Sequence, residues 1–264
     1  TNGGSNSFTG AITLSNSGAN AVTLTNNIAT SLAASTIGNN LTIISNGAIS
    51  QTGALVVPGT SSFTAGTNAI TLGSSNSFTG SVSLSNSGAN AVSLTNSTAL
   101  SLGTVGVGST LSLTAGGSIS QTGSITATGG ATTLALTAAV SDILLGSQAN
   151  DFGTSAIVFG GTQTNIRDVS IRNTNSGAVL PSFTGLTNLR NLTLIFNNAA
   201  ITFPAITLTS GGSLSATAGG AISHTGALVV PGTASFSAGA NTIYLTTNGG
   251  SNSFTGAITL SNSG

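Results

Sequence analysis

Repetition on two nested scales constrains this chain more than any other feature. "SNSFTGAITLSNSGANAVTLT" at Ser5–Thr25 returns as "SNSFTGSVSLSNSGANAVSLT" at Ser75–Thr95, with 17 of 21 positions identical. "AISQTG" at Ala48 returns as "SISQTG" at Ser118, the same offset, and "TGALVVPGT" at Thr52 returns unchanged at Thr225. The triplet "NSF" at Asn6 and Asn76 aligns with "NDF" at Asn150 and with "NSF" at Asn252. These landmarks define sub-repeats at approximately 5–74, 75–148 and 149–250, and residues 247–264 repeat residues 1–18 without a change. The expectation is one continuous segment, 1–264, cut from a longer array with a 246-residue period.

The long third unit exposes a smaller step. "TNIRDVSI" (Thr164–Ile171) matches "TNLRNLTL" (Thr187–Leu194), which sets a 23-residue step. Three such steps nearly fill the 70-residue unit, and the third unit reads as a short one with roughly one step inserted. Within each step, runs such as "GAITLS", "NAVTLT" and "NLTIIS" alternate apolar residues with Ser or Thr, the period-two signature of strands. Gly, Asn and Ser clusters between the runs supply turn chemistry. "ALTAAVSDILLGS" (Ala135–Ser147) has a helical look in isolation, but its "DILLG" aligns with "AITLG" of the first unit and is assigned as strand. Short strands in a recurring step of about 23 residues predict an all-β, parallel β-solenoid with ten or eleven rungs per period. A string of immunoglobulin-like sandwiches would suit the unit lengths but has no need of the 23-residue step.

Composition then narrows function. Charged residues are 2% of the chain, with no Lys, Glu, Trp, Met or Cys. Such a surface cannot neutralise phosphates, so nucleic acid is excluded as a partner. No apolar run approaches the roughly 18 residues of a membrane helix, and one Tyr cannot build the aromatic girdles of a membrane barrel. No membrane insertion is expected of this segment. The absence of Cys excludes a disulfide scaffold.

All six charges fall between Asp142 and Arg190. Asp151 occupies the slot of Ser7 and Ser77, and reads as a turn former bonding the backbone. Arg167 and Arg190 are one step apart and are expected to stack along one outer edge, with Asp168 offsetting their repulsion and Arg172 nearby. His224 replaces Gln51 and Gln121 of "ISQTG" and is expected to be an outward polar group. There is no second His, no Cys and no recurring Asp, so no catalytic residue, cofactor site or metal site is assigned. The Asn residues of "SNSGAN" are expected to form amide ladders with their own copies, and aligned Ser and Thr to form hydroxyl rows. Leu144 and Tyr244 stand where "ITL" has an outward Thr, and are candidate lateral contacts. With Arg167, Asp168, Arg172 and Arg190 they make up the candidate lateral or ligand-contact set.

The stretches "NSFTGAITLSNSGANAVTLT" and "GGSISQTGSITATG" resemble the repeats of giant bacterial surface exoproteins of the filamentous-haemagglutinin-like, β-strand-repeat class. The resemblance spans nearly the whole chain. It implies a right-handed, secreted β-helix attached to a bacterial surface or held in its matrix, with adhesion or biofilm roles. The expected function is a non-enzymatic extracellular filament or adhesin stalk. Its expected partners are neighbouring repeats of the same chain or identical protomers end to end, like filaments bundled laterally, and a glycan or other cell-surface target. Two alternatives stay open: a binding module whose Ser/Thr/Asn rows recognise a glycan or an ice-like surface, and a polysaccharide-active β-helix enzyme centred on Asp142–Arg190.

Overall fold

The computed structural model describes residues 6–246 and 251–263; Thr1–Ser5, Thr247–Gly250 and Gly264, and with them part of the duplicated terminal segment, lie outside the described residues. The chain winds into a parallel β-solenoid of about eleven turns, with successive turns about 21 residues apart. Every strand pairing among the described residues is parallel, and each joins a strand to its counterpart one turn on. The strands are short because each is one side of a turn. Leu111–Ala115, Ile119–Gln121 and Ile125–Ala127 are followed by Thr132–Leu136, which lies on Leu111–Ala115 again.

Three faces result. The first carries Val22–Asn26, Leu41–Ser45, Ser61–Thr64 and Val82–Asn86, then the latter part of Leu100–Val107 and Ile125–Ala127. The second carries Ile49–Gln51, the start of Ile70–Phe78, Val92–Asn96, Leu111–Ala115, Thr132–Leu136 and Val158–Gly160. The third includes Ser35–Thr36 and Leu55–Val57 near the lower end. Higher up it carries Ile119–Gln121, Ser141–Leu145, Ile166–Asn173, Asn191–Phe196, Leu214–Ala218, Ala234–Ser237 and Ile258–Ser261. At about 4.8 Å per turn, eleven turns rise about 50 Å.

The step is not constant. Val22 lies on Leu41, 19 positions away, Leu41 on Ser61, 20 away, and Ile143 on Val169, 26 away. The 23-residue spacing holds locally, where Asp168 lies on Asn191. It overestimates the mean because the one match that revealed it falls among the longest turns. The difference matters, because a 70-residue unit then makes three turns and one further side. Leu41, Leu111 and Leu214 begin equivalent strands in the three units, and they stand on the first, second and third faces respectively. Each unit is rotated by one face relative to the last, and three units restore the starting face. The run Ile12–Ser15 accordingly enters the third face, where Ser15 lies beneath Thr36, and its copy Ile258–Ser261 stands on that face too.

The inward residues of all three faces meet in one continuous apolar column. Leu41, Ile43, Phe63, Val82, Leu111, Leu113, Leu192 and Leu214 are each at most 1% exposed. Three Phe pairs cross the interior edge to face, Phe63 with Phe78 at 5.8 Å, Phe203 with Phe236 at 6.3 Å and Phe236 with Phe254 at 6.1 Å. The "ALTAAVSDILLGS" segment is strand, as the repeat alignment requires, in Thr132–Leu136 and Ser141–Leu145. Corners need close backbone approach: a Cβ on Gly116 would overlap the Ser97 carbonyl oxygen of the turn below.

Candidate functional site

Register places outward side chains in axial rows. On the third face the sequence of outward groups is Ser101, Ser120, Leu144, Ser170, Thr193, Ser215, Ser235 and Thr259. On the first face, Thr23, Thr42, Ser62 and Ser83 make a similar row. Hydroxyls thus repeat at the inter-strand spacing of about 4.8 Å. Leu144 is 42% exposed and stands between Ser120 and Ser170, so it interrupts a hydroxyl row rather than extending an apolar one. Tyr244 is 62% exposed near the upper end of the first face, beside the bridge between Ile222 and Ile243. The structure does not bring these two together.

It does bring the charges together. Asp142 and Asp168 are register partners on adjacent turns of the third face, and Asp168 in turn lies on Asn191. Arg167 donates from Nε to Asp142 Oδ1 at 2.9 Å and from Nη2 to Asp142 Oδ2 at 2.6 Å. Arg190 engages Asp168 in the same two-pronged way, with Nε 3.0 Å from Oδ1 and Nη2 on Oδ2. Arg167 also reaches Asp168 at 3.6 Å. The result is an alternating, charge-balanced ladder spanning three turns. Burial opposes the charge on Asp168, but bonds from Arg190 and from the Asn191 backbone and side chain outweigh it and hold the carboxyl below the usual carboxylate range. The bond to Asp142 raises the Arg167 pKa, and that to Asp168 raises the Arg190 pKa. Arg172 stands apart and donates from Nε to Asn197 Oδ1 at 2.8 Å. Asp151 accepts the Gly153 N–H at 2.8 Å, the turn role read from its slot.

A groove of about 260 Å³ opens beside the ladder, lined by Val140, Asn165, Arg167, Asn188, Arg190 and Thr209 among others. Val140 is 65% exposed and holds φ at 55°, a left-handed backbone that a β-branched residue rarely adopts. Nothing in the sequence flagged it. Both oxygens of Asp142 and of Asp168 accept bonds from guanidinium groups. Among the described residues no group of three His, Cys, Asp or Glu could hold a metal ion, and no helix is long and apolar enough to cross a membrane.

Two expectations about polar groups need correction. His224 does not point outward; it is 7% exposed. Its Nδ1 is 2.8 Å from the Gly226 carbonyl and its Nε2 is 3.2 Å from the Asn252 amide. Gln121 makes the same two links with its single amide, donating to Gly123 O at 2.9 Å and meeting Asn150 at 3.0 Å in both directions. Gln51 does likewise with Gly53 and Asn76. The imidazole is therefore a geometric substitute for an inward amide, and Gln was inward all along. Each of the partner Asn residues, in the "NSF" or "NDF" slot, also accepts a backbone N–H one turn below: Asn76 from Leu55, Asn150 from Ile125 and Asn252 from Leu228, at 2.8–2.9 Å.

Nor do the "SNSGAN" amides stack on their own copies. Those copies belong to successive units and stand on different faces. Asn86 instead donates to the carbonyls of Asn68 and Asn90, and Asn16 accepts from the Gly38 N–H. A set of strand-end Asn residues that sequence reasoning missed does similar work. Asn96 takes the Phe78 N–H at 2.8 Å and returns a bond to the Phe78 carbonyl at 3.1 Å. Asn26 clamps Phe8 in the same two-sided way. The fixed Phe-to-Asn offset, 18 positions in both cases, was the available signal.

No curated protein matches this chain, and no solved structure does. A family of sequence repeats described as "Repeats of unknown function (DUF5649)" matches residues 18–85, 89–159 and 189–261, and 160–188 is the longest stretch left unmatched. The unmatched stretch carries Arg167, Asp168, Arg172 and the single-turn 3₁₀ helix Gln163–Asn165. With the matches covering well over half of its length, the chain belongs to the DUF5649 repeat family.

Proposed function

We propose that this chain is a non-enzymatic structural segment, the shaft of an extracellular filament or adhesin stalk on a bacterial surface or in its matrix. The observation that carries this reading is where its polar groups go. Buried amides clamp one turn to the next, and the ionic ladder spans three turns, so the side chains capable of chemistry serve cohesion between turns. Load along the axis would be shared between those bonds and the unbroken apolar column. A surface with few charges lacks the mutual repulsion that keeps shafts apart, which favours lateral bundling. Labelling of intact, unpermeabilised source cells with an antibody against this chain tests the proposal. Label along extracellular fibres supports it; label confined to permeabilised cells refutes it.

The hydroxyl row on the third face favours a second reading, in which the same shaft recognises a regular surface such as a glycan lattice or ice. Replacing Ser170 and Thr193 with Val would remove such recognition and leave a structural shaft intact.

A further inference from the structure

The groove beside the ionic ladder gathers polar groups that the fold itself does not use. Arg167 and Arg190 stand on adjacent turns, and the Arg190 N–H donates to the Arg167 carbonyl at 2.6 Å. Each guanidinium grips its aspartate with the Nε–Nη2 edge. The group is planar and rigid, so its end-on edge, one N–H from Nη1 and one from Nη2, is turned away from that carboxylate. Neither Nη1 has a partner among the described residues. Two donor forks, one turn apart, are therefore free where both arginines line the groove.

Acceptors and an apolar wall complete the lining. Asn165 and Asn188 donate through Nδ2 to the Leu136 and Thr164 carbonyls, at 2.8 and 2.7 Å, and the Oδ1 of each is left without a partner among the described residues. Thr164 and Thr209 add hydroxyls to the same lining. Val140 adds exposed methyl groups, held there by its left-handed backbone at φ 55°. Glycine would make that corner without strain, and a strained residue at the mouth of a groove points to a use for its side chain.

We propose that this groove binds a carboxylated sugar, a uronate residue within a short glycan. The carboxylate sits on an end-on fork in the two-pronged manner of an arginine–carboxylate pair. Ring hydroxyls meet Asn165, Asn188 and the threonines, and a C–H face of the ring lies on Val140. A volume of about 260 Å³ is at the lower end of small-molecule sites and accommodates about one or two sugar rings. Asp142 and Asp168 already balance both guanidinium charges, so a bare anion gains little, and binding depends on the ring hydroxyls as well. A second copy of this chain is a poor source of the carboxylate, because its three Asp all accept bonds internally and it has no Glu. The groove lies at a corner, apart from the Ser170–Thr193 hydroxyl row, so this inference goes beyond both the shaft and the regular-surface readings.

The test is a titration of the full chain with trigalacturonate, followed by ligand-observed NMR. Saturation transfer at about 1 mM ligand is expected, and the methyl-esterified trisaccharide, equal in backbone but uncharged, should bind at least about tenfold more weakly. Arg190→Lys keeps a cation for Asp168 but has no second fork to offer, and should also weaken binding about tenfold. Arg172→Lys, outside the groove, should change nothing. Val140→Gly should weaken binding several-fold without lowering the melting temperature, a combination that a purely structural valine would not give. No transfer from trigalacturonate, equal binding of the ester, indifference to Arg190→Lys in a chain with an unchanged circular dichroism spectrum, or tighter binding of a tri-aspartate peptide overturns the proposal. The shaft reading is judged separately, by surface labelling.

Discussion

The first two units and the inserted turn of the third solve the same problem with different groups. From Val22 to Leu136, turns advance by about 19–22 positions and are fastened by inward amides such as Asn76, Asn96 and Gln121. Between Ile119 and Asn191 the turns lengthen to 23–26 positions, and the Asp142–Arg167–Asp168–Arg190 ladder stands at the outer edge while the strand-end Asn173 still takes the Phe152 N–H. The insertion lies outside the family matches, yet it disturbs nothing above it, because it adds one complete turn and preserves the order of the three faces. What the architecture conserves is the count of sides. The length of each side and the chemistry that fastens turns are negotiable.

Deletion breaks this comparison most severely. Removing Asp168–Arg190 brings Asn191 into the register position of Asp168 and should leave a folded chain with one cooperative thermal transition. Removing Asp168–Ala178 instead puts every later strand on the wrong face, and cooperative unfolding should be lost. If both deletions behave alike, side-counting is not the rule.

Next in size is the amide network of the regular turns. Asn76→Ala strands the Leu55 N–H and the Gln51 amide in the interior, and should cost about 2–4 kcal/mol in denaturant melts. His224→Gln tests the same network from the other side and should change stability by less than about 0.5 kcal/mol, whereas His224→Ala should cost about 1–3 kcal/mol.

Corner glycines sharpen the contrast further. Gly116→Ala forces the corner away from Ser97 and should cost about 1–3 kcal/mol, while Gly106→Ala, which meets nothing within 4 Å, should be neutral or slightly stabilising.

The smallest effect belongs to the ionic ladder at the edge. Because the folded-state pKa of Asp168 is lowered, its contribution is fully present above its ordinary value near 3.8 and is lost as pH falls through the folded value. Melting temperature should be flat in this respect between pH 7 and 5 and fall below about pH 4, and Asp168→Asn should reduce that acid dependence. As partly solvated pairs, they are also expected to weaken in high salt.

Much of the fold was legible because period-two runs and repeats report strand position directly. Thr132–Leu136 and Ser141–Leu145 could be assigned against their local helical look by aligning "DILLG" with "AITLG". The rotation of units was hidden because a step of 23 divides 70 almost evenly, whereas the true spacing leaves one side over. The stacking of Arg167 with Arg190 was visible from their local spacing. The pairing of Asp142 with Arg167 was not, since it depends on a one-residue register shift between Ser141 and Asp142. The inward amides were missed because Asn and Gln read as surface residues until their partners, one turn away, are known. Val140 left no trace, since a left-handed β-branched residue has no sequence signature.

A cysteine scan from one fixed position tests the central claim most directly. With Thr42→Cys held constant, a second cysteine at Ser62, Ala65 or Ser112 samples the register partner, a step of 23 and the next copy in the repeat. Rapid disulfide closure at Ser62 alone is the expected result, since only there do neighbouring Cα atoms come within bridging distance. Closure at Ala65 or Ser112 in preference to Ser62 would contradict the three-sided winding and the rotation of repeats built upon it.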